Sequence, residues 1–91
     1  ERIALFLHGL SERYRRIGRD AVEFQLPMTR DEIARYLGLV IETVSRGFTR
    51  LQDDGLIEVH GRQVELVETA ALARLAHGLL DAPLPRRRQA G

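Results

Sequence analysis

A mainly α fold with a small β-hairpin, laid out as a winged helix-turn-helix, is what this 91-residue sequence predicts. Three observations lead there. An amphipathic helix with a capping signature is separated by a short glycine-containing turn from a second helix. That second helix carries a polar face opposite its apolar seam. Two strands of alternating polarity around a glycine turn follow at once.

Residues 1–18 form the leading helix, with Ile3, Phe6, Leu7, Leu10, Tyr14 and Ile17 at helical spacing and Gly18 as its stop. Arg13, Arg15, Arg16 and Arg19 gather near its C-terminal end, where cations oppose the helix dipole. Residues 20–28 read as a connector holding a short extended piece at Val22–Leu26, ended by Pro27. Residues 29–53 are the helix-turn-helix. Thr29 and Glu32 fit a capping box, Ile33, Ala34 and Leu37 supply the buried stripe, and Gly38 provides the positive φ of the turn.

The second helix of the pair spans Ile41 to Asp53. With Val44 at zero, Phe48 falls at roughly 40°, Leu51 at roughly 340° and Ile41 at roughly 60°, a seam facing the core. Glu42, Arg46, Thr49 and Asp53 fall on the opposite side, with Ser45 and Arg50 at its margins. Gly55 closes the helix. Residues 56–67 are the wing hairpin, turning at His60-Gly61-Arg62, with Ile57, Val59, Val64 and Leu66 alternating with polar neighbours. A two-stranded hairpin is marginal alone, so it must pack on the helices. Residues 69–80 form a last helix through Leu72, Leu75, Ala76 and Leu79. Residues 81–91, with Arg86-Arg87-Arg88, read as a disordered basic tail.

The bulk numbers narrow the function classes. With 44% apolar residues over its 91 positions, the chain supports a single core, assigned to one domain of 1–80. No apolar run is long enough to span a bilayer, so a membrane partner is not expected. Cysteine is absent, which removes disulfide frameworks and thiolate metal sites and fits a cytoplasmic location. The net charge is +1, and the Thr29–Arg62 segment holds five arginines against six carboxylates. Any nucleic-acid interface must therefore depend on where charges point, not on their sum. All fourteen basic residues are arginine, the side chain suited to bidentate phosphate and guanine contacts.

The polar face of the second helix has the chemistry of base reading. An arginine donates two parallel hydrogen bonds to O6 and N7 of guanine, a glutamate accepts from the cytosine amine, and serine or threonine reaches polar edges or a thymine methyl. Arg46 and Glu42 are one turn apart and could read neighbouring base pairs. Their alternative is a solvated i,i+4 ion pair of about 0.3–0.5 kcal/mol. Thr29 and Arg30 open the first helix, whose amides form a phosphate seat. His60 and Arg62, at the wing tip, could reach the backbone of the adjacent groove.

The segment MTRDEIARYLGLVIETVSRGFTRLQDDGLIEVHGRQVELVE resembles the DNA-binding domain of the Crp/Fnr superfamily of bacterial transcription regulators, and more closely its Fnr-like branch. The resemblance covers residues 1–76. It implies that Glu42, Ser45 and Arg46, in an E-x-x-S-R pattern, read a TTGAT-type half-site in double-stranded DNA. The cyclic-AMP-receptor branch has Gly at the Ser45 position and Arg at the Ile41 position. Thr29, Arg30, Thr43, His60 and Arg62 match backbone-contacting positions of the family. Thr49 and Arg50, on the same helix, join them as backbone candidates. Val40 departs from the pattern: that position usually holds a Ser or Thr that caps the helix, and valine cannot cap.

The same resemblance implies an inverted-repeat promoter site, a homodimer in the full-length protein, RNA polymerase as a further partner, and a sensor domain upstream. Any sensor ligand, iron–sulfur cluster or haem would belong to that upstream domain, and no cofactor is expected in this one. The chain opens at Glu1 inside a helical pattern, as a piece of something larger would. As a monomer the piece is expected to bind weakly. The competing class is a winged-helix module for protein contacts without DNA readout, which should present an apolar recognition face. An enzyme is not expected: His8, His60 and His77 lie on three separate elements, with no metal spacing and no Ser–His–Asp arrangement.

Overall fold

The computed structural model describes the backbone of residues 2–81 and the side chains of residues 2–78. Its elements run α1 (Arg2–Arg16), β1 (Glu23–Gln25), α2 (Arg30–Leu37), α3 (Ile41–Asp53), β2 (Ile57–His60), β3 (Gln63–Leu66) and α4 (Thr69–Asp81). The last helix therefore takes in Asp81, which the sequence assigned to a tail. The remainder of that tail, with Arg86, Arg87 and Arg88, lies outside the described residues.

α1 ends at Arg16, just short of the Ile17 expected at its end, and Ile17 falls in the turn that follows, 63% exposed. Its expected place in the apolar stripe is lost because the helix no longer aims it inward. Ser11, although polar, is buried and donates to the Ala21 carbonyl at 2.6 Å, which pins the connector to α1. Asp20 then accepts the amides of Val22 and Glu23 at 2.8 and 3.0 Å. Those two amides, Glu23 first, hold its carboxyl below the ordinary aspartate range.

The extended piece of the connector becomes a true strand. β1 pairs antiparallel with β3, Phe24 opposite Val64, and β2 pairs with the other side of β3. The sheet order is β1-β3-β2, so the expected hairpin is two thirds of a three-stranded sheet. The third strand answers the marginal stability of a lone hairpin. It covers one β3 edge and adds Phe24 to the core.

α2 opens as its sequence requires. The Thr29 hydroxyl oxygen accepts the Glu32 amide at 3.1 Å, and the Glu32 carboxylate accepts the Thr29 amide at 2.8 Å. The Thr29 amide, helped by the hydroxyl, holds the Glu32 carboxyl below its ordinary value. Gly38 closes the helix at φ 71°, where a side chain would be strained. The Gly38 amide donates to Arg35 and the Leu39 amide to Ala34, capping the last carbonyls before the chain turns.

α3 runs over the expected span, and Val44, Phe48 and Leu51 are buried. Ile41 is not: it is 46% exposed. Side chains on a helix lean toward its N-terminus, so the first residue projects past the packed layer even when its angle points inward. Val40 sits at the N-cap in extended conformation, 63% exposed and without a side-chain cap. Because it buries little, Val40→Ser is expected to stabilise the domain by about 1 kcal/mol, read as a higher urea midpoint at unchanged m-value.

The core joins Ile3, Ala4, Leu7 and Leu10 of α1 to Ile33 and Ala34, to the α3 seam, and to Ile57, Val64, Leu66 and Leu72. α4 packs along α1 through Leu72 and Ala76, while Leu75 stands partly in solvent. Among the described residues no helix is long and apolar enough to cross a membrane.

Candidate nucleic-acid interface

Glu42, Thr43, Arg46, Thr49 and Arg50 are all exposed on α3, and Ser45 is half-buried at the margin. Their shared orientation follows from the seam: with Val44, Gly47, Phe48 and Leu51 turned inward, the side chains on the opposite side of the helix face out. Among the described residues, neither Glu42 nor Arg46 enters an ion pair. The i,i+4 pair that would have satisfied them internally is not formed. An arginine and a glutamate one turn apart, each uncommitted, leave this face free to exchange hydrogen bonds with an outside partner.

The supporting residues are held in different ways. Thr29 is occupied at its capping oxygen. The Arg30 guanidinium lies over the ring of Phe48, its Cζ 4.8 Å from the centroid. That stack ties the first turn of α2 to the buried side of α3 and limits the directions Arg30 can take. Arg62, beyond the wing turn, donates from Nη2 to the Leu26 carbonyl at 2.9 Å. One of its five donors is thus spent on the fold, and the rest stay available. His60 is exposed at the tip, 3.8 Å from the Glu58 carboxylate.

The wing is fastened to the recognition helix by a residue the sequence did not single out. The Gln52 side-chain oxygen accepts the Val59 amide at 3.3 Å, joining the end of α3 to β2. Its position on the exposed flank of an amphipathic helix carries no signal for this role. Ile41 was likewise missed as a surface residue, and its place at the first helical position was the available clue.

The three histidines lie on three separate elements, as the sequence predicts, but two of those elements bring theirs together. His8 on α1 and His77 on α4 meet edge-on, ring centroids 5.1 Å apart, while His60 stays at the wing. Among the described residues no group of three or more His, Asp or Glu side chains could hold a metal ion.

Comparison with known proteins agrees with this geometry. The profile of the Crp-like helix-turn-helix domain matches residues 1–75. The transcriptional activator protein FnrA of Stutzerimonas stutzeri is 51% identical over 82 residues, which cover 90% of this chain and 34% of that protein. The fumarate and nitrate reduction regulatory protein of Escherichia coli K12 is 43% identical over 76 residues, 84% of this chain and 30% of that protein. Among solved structures, FixK2 from Bradyrhizobium japonicum superposes with a TM-score of 0.65 at 36% identity, covering 82% of this chain and 38% of that one. The catabolite activator protein of Thermus thermophilus gives 0.62 at 28% identity, covering 85% and 35%. The chain spans about a third of the length of the curated relatives it matches.

Proposed function

The chain belongs to the Crp/Fnr family, as its Crp-like helix-turn-helix DNA-binding domain, and from that premise we propose how it reads its target. α3 enters the major groove of double-stranded DNA with Glu42, Ser45 and Arg46 on base edges of a TTGAT-type half-site. Arg46 takes guanine, Glu42 takes the amine of a cytosine, and Ser45 takes a neighbouring pair. Thr29, Arg30, Thr43, Thr49, Arg50, His60 and Arg62 hold phosphates on either side and set the register. The observation that carries this reading is the outward face of α3, polar and without internal ion pairs. A module for protein contacts alone would present an apolar face there.

The whole protein is proposed to act in the cytoplasm as a homodimeric transcription regulator on an inverted repeat, with RNA polymerase as a further partner. Its sensor group, whether small ligand, iron–sulfur cluster or haem, would be held outside this domain. Two copies of α3 related by a twofold axis meet half-sites one helical turn apart. Selection of bound duplexes from a random pool tests the reading: recovery of an inverted repeat supports it, and recovery of no preferred sequence contradicts it.

Arg30 offers a separate check on the phosphate contacts. Arg30→Ala should weaken binding to all sequences alike and reduce the slope of log K against log salt by about 1. A slope that does not move would take Arg30 off the phosphate list.

A further inference from the structure

Where α4 packs along α1, His77 and His8 meet with ring centroids 5.1 Å apart and ring planes at 90°. His8 is half-buried and His77 exposed, so solvent reaches the pair. Among the described residues neither imidazole has a hydrogen-bond or ion-pair partner, which leaves the ring nitrogens uncommitted. An edge contact asks only for aromatic surface, which phenylalanine supplies without polar atoms to satisfy. What imidazole adds is a nitrogen lone pair, and it is the commonest metal ligand. In a tetrahedral site the bound nitrogen lies ~2.0–2.1 Å from the ion, which puts the centroids of two rings sharing that ion roughly 5.2 Å apart. The two rings already stand at that separation. Perpendicular planes are compatible with it, since each ring plane need only contain the line to the ion.

We propose that His8 and His77 form a two-histidine site for a zinc ion that clamps α4 to α1. Imidazole suits zinc among the first-row divalent ions, and no thiolate is needed. Among the described residues no further His, Asp or Glu completes a set of three, so water takes the open positions and the ion exchanges readily. The site is therefore a reversible clamp and not a permanent part of the fold. α1 also packs against α3, so an ion that steadies the α1–α4 layer steadies the support of the recognition helix. The two histidines lie near opposite ends of the chain, which is why no ligand spacing announces them. The inference stands apart from the DNA-binding reading above.

Zinc sulfate added to the metal-free 91-residue chain tests it, with urea unfolding followed at each concentration. Above half-saturation, each tenfold rise in free zinc should multiply the folded-to-unfolded ratio by about ten, as for a ligand of the folded state alone. His8→Ala and His77→Ala should each abolish that response, because one imidazole cannot bridge two helices. Circular dichroism confirms that each variant is folded. Should a variant fail to fold, the proton spectrum of the unsubstituted chain decides alone. Zinc should shift the imidazole signals of His8 and His77 together and leave those of His60 in place. A ratio indifferent to zinc, or a response retained in either folded variant, overturns the site. So do zinc shifts that miss the pair or fall on all three histidines alike.

Discussion

Arg46→Ala is expected to weaken binding to the preferred duplex by roughly 1–3 kcal/mol and to flatten the preference at a single base pair. Arg46 is exposed on α3 and has no carboxylate partner among the described residues, so its planar donor fork is available whole. Two parallel hydrogen bonds to guanine satisfy both acceptors of that base edge, and no other base presents the same pair. Alanine leaves those acceptors facing a gap. Glu42→Ala should act at the same pair, because a TTGAT half-site holds one G·C pair, whose guanine takes Arg46 and whose cytosine takes Glu42. The measurement is a competition series in which each base pair of the half-site is varied against both proteins. An equal loss on cognate and random duplexes would identify Arg46 as a phosphate contact instead.

Phe48→Ala is expected to cost about 3–5 kcal/mol of folding stability, by urea unfolding. Phe48 is fully buried in α3 and is among the largest fully buried side chains of the core. Domains of this size hold about 5–15 kcal/mol in total, so such a loss takes away a large share. The substitution also removes the ring beneath Arg30. Phe48→Leu separates the two effects. It keeps most of the volume, so it should be the milder change in stability, yet it abolishes the cation–π stack. If the stack positions Arg30, the leucine variant should show part of the lowered salt slope expected of Arg30→Ala. A fully unchanged slope would mean that Arg30 reaches phosphate without help from Phe48.

The helix-turn-helix was legible because its signals are local. Thr29 and Glu32 are three residues apart, and their reciprocal hydrogen bonds form as that spacing requires. Gly38 sits where the turn needs a left-handed residue, and Val44, Phe48 and Leu51 repeat at the period of the helix that buries them. The outward placement of Glu42 and Arg46 follows from the same period. Val40 was readable as a missing cap from the family resemblance, in which that position usually holds Ser or Thr, and α3 has no side-chain cap there.

Other features were not legible, because each joins parts of the chain that no short window contains. The connector became a strand only when β3 offered it an open edge. Ile17 and Ile41 have the right residue type and the right helical angle, yet one lies past the end of its helix and the other beyond the packed layer.

By itself, then, the sequence determined the helices, their caps, the polar face of α3 and the alternating strands of the wing. These depend on residues a few positions apart, and backbone geometry converts such spacings directly into faces. The tertiary structure alone decided the third strand, the Arg30–Phe48 stack, the bond from Arg62 to Leu26 across thirty-six residues, and the meeting of His8 with His77. Those contacts arise from how the packed elements come to rest against one another, and periodicity along a chain carries no record of that.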